Sequence, residues 1–287
     1  MTILVTGALH WDVVVHAPRL PHIDETLLGS SVAYQFGGKG GNQAVAAASA
    51  GADVAFAGRI GSDQAGAVMR RRLTEAGIDL SELQVGPDAS GMSAAIVDAN
   101  GNYGAVIVSS ENHKFDADLL TIPSQCRMVL MQNEMTHTVL HKVRQKAHDA
   151  GVPVVLNAAP ARGLTCADLD GIGVLIVNRV EASDLLGCAP LDTNWTDTDW
   201  ADSVHGLQTL VPGSDIIVTL GGDGVCYARC NQAPRHQPAR KAVVRSTHGA
   251  GDVFVGTFAA SCVTGIPFET AIEKAQVAAS SHVSASR

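Results

Sequence analysis

The sequence predicts an α/β fold, in which a Rossmann-like, doubly wound and mostly parallel sheet carries a small β-sheet lid. From residue 118 onward, strand-like apolar runs alternate with helix-forming runs, the pattern of right-handed β-α-β units. Aromatic residues make up only 4% of the 287 residues, and a core rich in Ala, Val, Ile and Leu is typical of helices packed on parallel strands. No internal repeat or low-complexity linker divides the sequence, so we expect one domain over residues 1–287.

The elements of the body follow from local patterns. Helix-forming runs end at Gly51 and Gly77, and glycine is a common helix C-terminal cap. Short apolar runs predict buried strands. These patterns predict body strands over 2–8, 54–57, 129–132, 152–157, 174–178 and 216–220. They predict helices over 42–50, 65–76, 139–150, 252–263 and 267–284.

Four other segments predict the lid. An Asn-Gly turn signal joins the last two as a β-hairpin, and partial alternation of β-branched and aromatic residues in the first two is typical of half-exposed strands. These strands are predicted at 12–16, 27–36, 92–97 and 103–108. We therefore expect a discontinuous lid from about 12–36 and 90–109.

The charge and the cysteine pattern exclude several classes of protein. A formal net charge of -8 disfavours nucleic acid and anionic membranes as partners, so an anionic substrate needs a local positive group such as a helix N-terminus. The sequence contains no transmembrane candidate, and residues 2–6 predict a strand rather than a secretion signal. The six cysteines include no CxxC and the eleven histidines no HExxH. We expect a cytoplasmic protein with reduced thiols and no zinc site.

The segment 249–252, Gly-Ala-Gly-Asp, is the most informative motif. Small residues at a helix start leave backbone N–H groups uncovered, and the helix dipole adds positive charge there. This arrangement suits a transferred phosphoryl group, and Asp252 could take the proton of an attacking hydroxyl. The alternative is structural, with Asp252 as a helix N-cap after a tight turn.

Glycines also dominate the segment 37–42, Gly-Gly-Lys-Gly-Gly-Asn. A ligand can approach glycine backbone closely, and Lys39 and Asn42 offer hydrogen-bond donors. The GxxxxGK[ST] spacing of a P-loop is absent, and a hinge before a helix is the alternative interpretation.

Two further motifs follow predicted strands. Asn178 and Glu181 come after one strand, at the edge where parallel sheets bind ligands, although a surface acid at a helix start is the alternative. The segment 219–225, Thr-Leu-Gly-Gly-Asp-Gly-Val, fits a nucleotide-facing loop or a hairpin turn equally well. The opening strand lacks the GxGxxG glycines of a dinucleotide site, so a nicotinamide oxidoreductase is not expected.

In this order, the motifs resemble those of the PfkB carbohydrate kinases and of their ribokinase-like branch in particular. The segment GGKGGNQAVAAASAGADVAFAGRIGSDQAG at 37–66 resembles the amino-terminal signature of the family, and STHGAGDVFVGTFAA at 246–260 resembles the carboxy-terminal one. The resemblance spans residue 3 to about residue 284. Matching blocks between the signatures are MQNE at 131–134, NAAPAR at 157–162, NRVEAS at 178–183 and TLGGDGV at 219–225.

The resemblance implies an enzyme that uses ATP and magnesium to phosphorylate a hydroxymethyl group of a sugar, with ribose as the first prediction. It implies that Asp252 is the base and that the N–H groups of Gly249, Ala250 and Gly251 form an anion hole. The sugar contacts it implies are Asp12, Gly38, Lys39, Asn42 and Glu134. Asn178 and Glu181 would organise magnesium, water and phosphates. The nucleotide site would be lined by Thr219, Gly221 and Gly224 and completed by Gln276.

Some positions depart from the family pattern. Ser246 stands where an Asp usually helps to hold a monovalent cation, and the sequence stops at Arg287, before the segment that usually completes the cation loop. We therefore do not expect potassium activation. His10 and Trp11 replace smaller residues near the sugar-binding segment. Trp11 could stack on a base or fill the core of the lid.

Two alternative functions stay open, and the lid suggests an assembly. A nucleoside kinase of the same family would use Trp11 for stacking, and a non-catalytic sugar- or nucleotide-binding regulator would need no base. The lid should have an apolar face, which favours a partner, and the resemblance implies lid-to-lid homodimers. The predicted members of that face are Val13, Val15, Val106 and Val108.

Overall fold

A computed structural model describes residues 2–100, 102–187 and 197–285 of the chain. The strands are β1 (Thr2–Thr6), β2 (His10–His16), β3 (Ser31–Gly37), β4 (Asp53–Gly61), β5 (Leu83–Gly86), β6 (Met92–Val97), β7 (Tyr103–Val108), β8 (Cys126–Gln132), β9 (Val154–Asn157), β10 (Val174–Asn178), β11 (Asp215–Thr219), β12 (Val225–Ala228) and β13 (Arg235–Gln237). The helices are α1 (Lys39–Ser49), α2 (Gln64–Glu75), α3 (His137–Asp149), α4 (Cys166–Leu169), α5 (Arg179–Leu186), α6 (Asp197–Leu210), α7 (Ala250–Val263) and α8 (Phe268–Ser284). None of the described helices has both the length and the apolar character that crossing a membrane requires.

Among the described residues, nine strands form the central sheet in the order β13-β12-β11-β10-β9-β8-β1-β4-β5. All neighbours are parallel except for the pairs that β12 makes with β11 and with β13. Alternate residues of β1 enter different cores, because successive side chains of a strand point to opposite faces. Leu4 packs in the core that includes Val139 and Leu207. Ile3 packs in the core that includes Ala44 and Phe258.

The helix α7 is apolar on nearly all sides and lies buried against α1 and α8. Its contact with α1 depends on Gly256, because a Cβ at this position would come within 2.5 Å of the Gln43 carbonyl oxygen and 2.7 Å of the Ala46 Cβ. A glycine lets two helix backbones approach closely. This approach brings the N-terminal turn of α7 beside the first turn of α1, where the candidate site lies.

A separate four-stranded sheet, in the order β3-β2-β6-β7, forms the lid. The register pairs Val13 with Tyr34 and Ala94, and Ala94 with Val106, so these four side chains share one face. Tyr34 is 60% exposed and Val106 is 67% exposed. The other face carries Asp12. The fold class predicted from the sequence is confirmed, and all four valines predicted for the apolar lid face lie on it.

Several elements differ from the sequence-based prediction. The run 27–36 forms a strand only from Ser31 onward, and α1 begins at Lys39, inside the glycine segment. The strands β5, β12 and β13 and the helices α4 and α6 were not predicted, and a helix start near Glu181, where α5 begins, was only an alternative interpretation. Most of them are short, and α6 is rich in weak helix formers but buries Val204 and Leu207 against the sheet. Tertiary packing therefore decides these segments.

Candidate active site

The N-terminus of α7 lies at the carboxyl edge of the central sheet. The helix begins at Ala250 after Gly249, whose φ of 76° is left-handed. Asp252 is therefore the third residue of the helix, and the alternative interpretation of Asp252 as the N-cap is wrong. A Cβ at Gly251 would meet no atom within 4 Å, so this side of the turn is open to a ligand.

One of the three predicted anion-hole donors already has a partner. The N–H of Ala250 donates to the carbonyl oxygen of Thr247 at 3.2 Å. A phosphoryl oxygen would have to share or displace that hydrogen bond. Gly249 and Gly251 both line the cavity described below.

Asp252 is 9% exposed, and each of its carboxylate oxygens accepts a hydrogen bond. Asn42 Nδ2 donates to Oδ2 at 3.1 Å, and Gln43 Nε2 donates to Oδ1 at 3.0 Å. Burial raises the pKa of Asp252, while the charge of Lys39 and the two amide hydrogen bonds act in the opposite direction. A raised pKa in a cleft is the property that a general base needs.

Lys39 and Glu134 meet at the start of α1. The backbone N–H of Lys39 donates to Glu134 Oε2 at 2.7 Å. Burial raises the pKa of Glu134 to about 7, Lys39 opposes this, and the nearby carboxylates Asp252 and Asp12 add to it. The preceding residue, Gly38, has a φ of 85°, and a Cβ there would lie 2.5 Å from the Ala8 carbonyl oxygen. The glycine therefore lets α1 begin directly against the end of β1.

Asp12 projects from the lid on the face opposite the apolar side chains. It accepts a hydrogen bond from Ser93 Oγ at 2.5 Å. The neighbouring His10 is buried, its Nε2 has no partner among the described residues, and burial lowers its pKa. Trp11 points to the other face, stacks on Tyr34 with ring centroids 6.3 Å apart, and packs against the core of the body. Trp11 therefore has a packing role, as one interpretation held, but the core that it contacts is that of the body and not that of the lid.

Asn178 and Glu181 form a capping box at the start of α5. The Asn178 side chain accepts from the Glu181 N–H at 2.9 Å, and Glu181 Oε2 accepts from the Asn178 N–H at 2.8 Å. Glu181 is half-buried, and burial raises its pKa. The two residues thus cap a helix, as the structural alternative proposed, and also line the cavity with Asp252.

A cavity of about 210 Å³ brings many of the predicted residues together. Asn157 is a further lining residue that the sequence motifs did not single out as a site residue. Asn42 and Glu134 lie outside the lining but are hydrogen-bonded to lining residues, Asn42 to Asp252 and Glu134 to the Lys39 N–H. Asp12 also lies outside the lining, and its hydrogen bond comes from Ser93. The predicted residues that line the cavity are Lys39, Asn178, Glu181, Thr219, Gly249, Gly251 and Asp252.

The remaining predicted nucleotide residues have structural partners outside this cavity. Gly221 and Gly224 belong to the hairpin between β11 and β12, so the hairpin interpretation of this segment holds. At Gly224, whose φ is 103°, a Cβ would come within 2.1 Å of the Gln237 carbonyl oxygen. Gln276 is 7% exposed and donates to the carbonyl oxygens of Gln237 and Pro238 at 3.3 and 3.4 Å. The role of these residues in binding a nucleotide stays a prediction.

Three amide residues of the site were missed in the sequence: Gln43, Gln132 and Asn157. Gln132 and Asn157 are the last residues of β8 and β9. Because ligands bind at the carboxyl ends of parallel strands, their positions were a usable signal. Gln43 follows Asn42 inside a helix-forming run and carries no comparable signal.

Comparison with known proteins identifies the class. The sequence profile of the "pfkB family carbohydrate kinase" matches residues 2–286. The chain belongs to the pfkB family of carbohydrate kinases, and the prediction of an ATP-dependent carbohydrate kinase is confirmed.

Individual relatives and structures agree with this class. The chain is 32% identical to the ribokinase of Haemophilus influenzae over 97% of this chain and 90% of that protein. It is 30% identical to the deoxyribokinase of Salmonella typhi over 96% of this chain and 90% of that protein. The ribokinase of Arabidopsis thaliana, in a structure with ribose and ATP, matches with a TM-score of 0.89 and 28% identity and covers 99% of this chain and 93% of that one.

Proposed function

We propose that this protein transfers the γ-phosphoryl group of ATP to the hydroxymethyl oxygen of ribose, with Asp252 as the general base. The observation that carries the proposal is the buried Asp252 carboxylate, fixed by one amide donor on each oxygen at the N-terminus of α7. It lines one cavity with Lys39 and Glu181. The match to a ribokinase structure that contains ribose and ATP supports this choice of substrates.

The chemistry needs positioning and charge neutralisation more than covalent catalysis. Asp252 takes the proton of the ribose hydroxymethyl group. The hydroxymethyl oxygen then bonds to the γ-phosphorus as the bond between that phosphorus and the ADP oxygen breaks. The positive end of α7 and the Lys39 ammonium offset the negative charge of the transferred group.

The donors at the edge of the cavity fit a magnesium ion that arrives with a nucleotide. Magnesium in such sites is held by one or two carboxylates together with phosphate oxygens and water. Glu181 supplies one carboxylate, and Asn178 lies beside it. No group of three or more His, Cys, Asp or Glu side chains that could enclose a metal is present among the described residues. The ion would neutralise phosphate charge, with Glu181 as its protein ligand.

The structure favours a sugar over a nucleoside as acceptor. Asp12 and Glu134 are carboxylates that could accept hydrogen bonds from sugar hydroxyls, and the charge of Asp12 contributes to the raised pKa of Glu134. Trp11, the residue that would stack on a base, points away from Asp12. The non-catalytic alternative gives no reason for a buried base at a helix N-terminus.

A substrate screen tests the proposal. Purified protein with ATP and magnesium would be assayed for ADP release with ribose, 2-deoxyribose and a panel of nucleosides. We expect the highest kcat/KM with ribose and phosphorylation on the hydroxymethyl oxygen. A higher kcat/KM for deoxyribose or for a nucleoside would make that compound the acceptor in place of ribose. No turnover with any of them would overturn ribose as the proposed acceptor.

We also propose a homodimer formed through the lids. The face that contains Tyr34 and Val106 exposes several apolar side chains, and a large exposed apolar surface often marks an interaction site. Light scattering at micromolar concentration should give the mass of two chains, and Val106→Lys should shift it towards one. A monomeric wild-type protein would contradict the prediction.

The single-domain organisation over 1–287 and the cytoplasmic location stay predictions.

Potassium should not activate the enzyme. Ser246 offers a neutral hydroxyl that accepts the His248 N–H at 3.3 Å, whereas a carboxylate would attract a cation by about 4 kcal/mol at 4 Å and an effective dielectric constant of 20. Turnover should stay flat when potassium is titrated into potassium-free buffer, and Ser246→Asp should introduce a response. A large saturable rise in the wild-type rate would refute this prediction.

A further inference from the structure

Two buried glutamines lie behind Asp252 and are not part of the cavity wall. Gln43 Nε2 donates to Asp252 Oδ1 at 3.0 Å, and Gln132 Nε2 donates to Gln43 Oε1 at 2.8 Å. Both glutamines are 0% exposed. We propose that Gln43 and Gln132 are positioning residues that hold the Asp252 carboxylate in the orientation required for proton transfer. This inference rests on the proposed function, because it takes Asp252 to be the base.

The hydrogen-bond partners fix the direction of each amide. Asn157 Nδ2 donates to the Ile176 carbonyl oxygen at 3.0 Å, so Asn157 Oδ1 faces Gln43. Gln43 Nε2 meets two acceptors, Asn157 Oδ1 at 2.9 Å and Asp252 Oδ1. The side-chain oxygen of Gln43, Oε1, must therefore face Gln132, which donates to it from Nε2. Gln132, Gln43 and Asp252 thus form a hydrogen-bonded series in which each glutamine donates an amide hydrogen to the next residue.

This series and Asn157, which accepts from Gln43, come from four elements of the fold. Gln43 lies on α1, Gln132 ends β8, Asn157 ends β9, and Asp252 lies on α7. Asn42 holds the other carboxylate oxygen, so removal of Gln43 leaves one donor and frees rotation of the carboxylate. Gln132 contributes through Gln43, since its side-chain amide donates to Gln43 and not to Asp252.

The burial of Gln132 is difficult to explain by stability alone. Its Oε1 is buried and has no partner among the described residues. A buried acceptor without a partner is unfavourable, and Gln132 carries this cost while its Nε2 donates to Gln43 Oε1. The space for this oxygen exists because Gly7 has no side chain, since a Cβ there would lie 2.1 Å from Gln132 Oε1. The amide is therefore better explained by the orientation that it gives to Gln43.

Loss of the Gln43 amide should also change the titration of the base. The hydrogen bond from Gln43 lowers the pKa of Asp252 against the effect of burial, so its removal should raise this pKa further. The acidic limb of the kcat/KM profile should then move to higher pH. The other charged or titratable groups that act on Asp252 or respond to it are Lys39, His248, Glu134 and Glu181.

The test compares Gln43→Met and Gln132→Met with the matched control Gln208→Met. Gln208 also donates twice from Nε2, to the carbonyl oxygens of Arg229 and Gln232, but it lies on α6 away from the site. We expect Gln43→Met to lower kcat by about 10–100-fold, because small misplacements of a reacting group cost this much, with the KM for ATP nearly unchanged. Gln132→Met should lower kcat by about 3–10-fold, and the control should leave kcat and the pH profile unchanged.

Thermal unfolding and ATP binding by calorimetry show whether each variant is folded. If Gln43→Met does not fold, Gln132→Met decides the question, because it leaves both donors to Asp252 in place. Wild-type kcat and pH profile in the folded glutamine variants, alongside an inactive Asp252→Asn, would overturn the positioning role alone. A fully active Asp252→Asn would overturn the proposed base and this inference with it.

Discussion

Replacement of Asp252 by Asn should lower kcat by about 10²–10⁴-fold while ATP binding survives, because the variant keeps the size of the side chain and loses the base. Both oxygens of Asp252 accept amide hydrogen bonds, so the amide nitrogen that the substitution introduces would face a donor. Rotation of the Asn42 amide can present its oxygen instead, and the fold should persist. Steady-state kinetics with ribose and ATP measure the effect.

The control for this variant is its own folding and nucleotide binding. Thermal unfolding should show a cooperative transition, and calorimetry should give a Kd for ATP close to that of the wild-type protein. Turnover near the wild-type value in such a sample would rule out Asp252 as the base. If Asp252→Asn does not fold, Asp252→Ala would be tested instead, because alanine places no amide donor against Asn42 or Gln43.

Lys39→Met should lower kcat/KM by about 10²–10³-fold, because the variant removes the cation that lines the cavity with Asp252 and that we propose offsets the charge of the transferred phosphoryl group. Methionine keeps the length of the side chain, and the backbone N–H that donates to Glu134 remains. Burial raises the pKa of Asp252, Glu134 and Glu181, and the positive charge of Lys39 opposes that rise. The loss should therefore raise all three pKa values and move the acidic limb of the pH profile upward.

The matched control is Lys142→Met on α3. Lys142 forms an exposed ion pair with Asp118 at 2.5 Å, and exposed pairs of this kind contribute only about 0–1 kcal/mol. Its kcat/KM and pH profile should equal those of the wild-type protein. If Lys39→Met behaved like this control, the cation at the cavity would have no part in phosphoryl transfer.

The sequence by itself determined the type of most long elements and the position of Asp252, the candidate base. The lid strands Met92–Val97 and Tyr103–Val108 and the body strand Val174–Asn178 have the predicted bounds. Each is set by short-range properties, namely apolar periodicity, β-branched residues and a turn signal between neighbours. Asp252 was found because the glycines before it predict a helix start with uncovered N–H groups.

Tertiary structure alone decided how α1 begins and which side chains hold Asp252. Glycines disfavour helix locally, yet α1 starts at Lys39. The reason is that Gly40 packs against Gly7, since a Cβ on Gly40 would come within 2.7 Å of the Gly7 backbone. Gln43 meets Asp252 across 209 residues of sequence and Gln132 across 89. Such contacts depend on the close packing of α1 against α7 and on the order of the strands. No local pattern encodes them, because the partners become neighbours only when the sheet and its helices assemble.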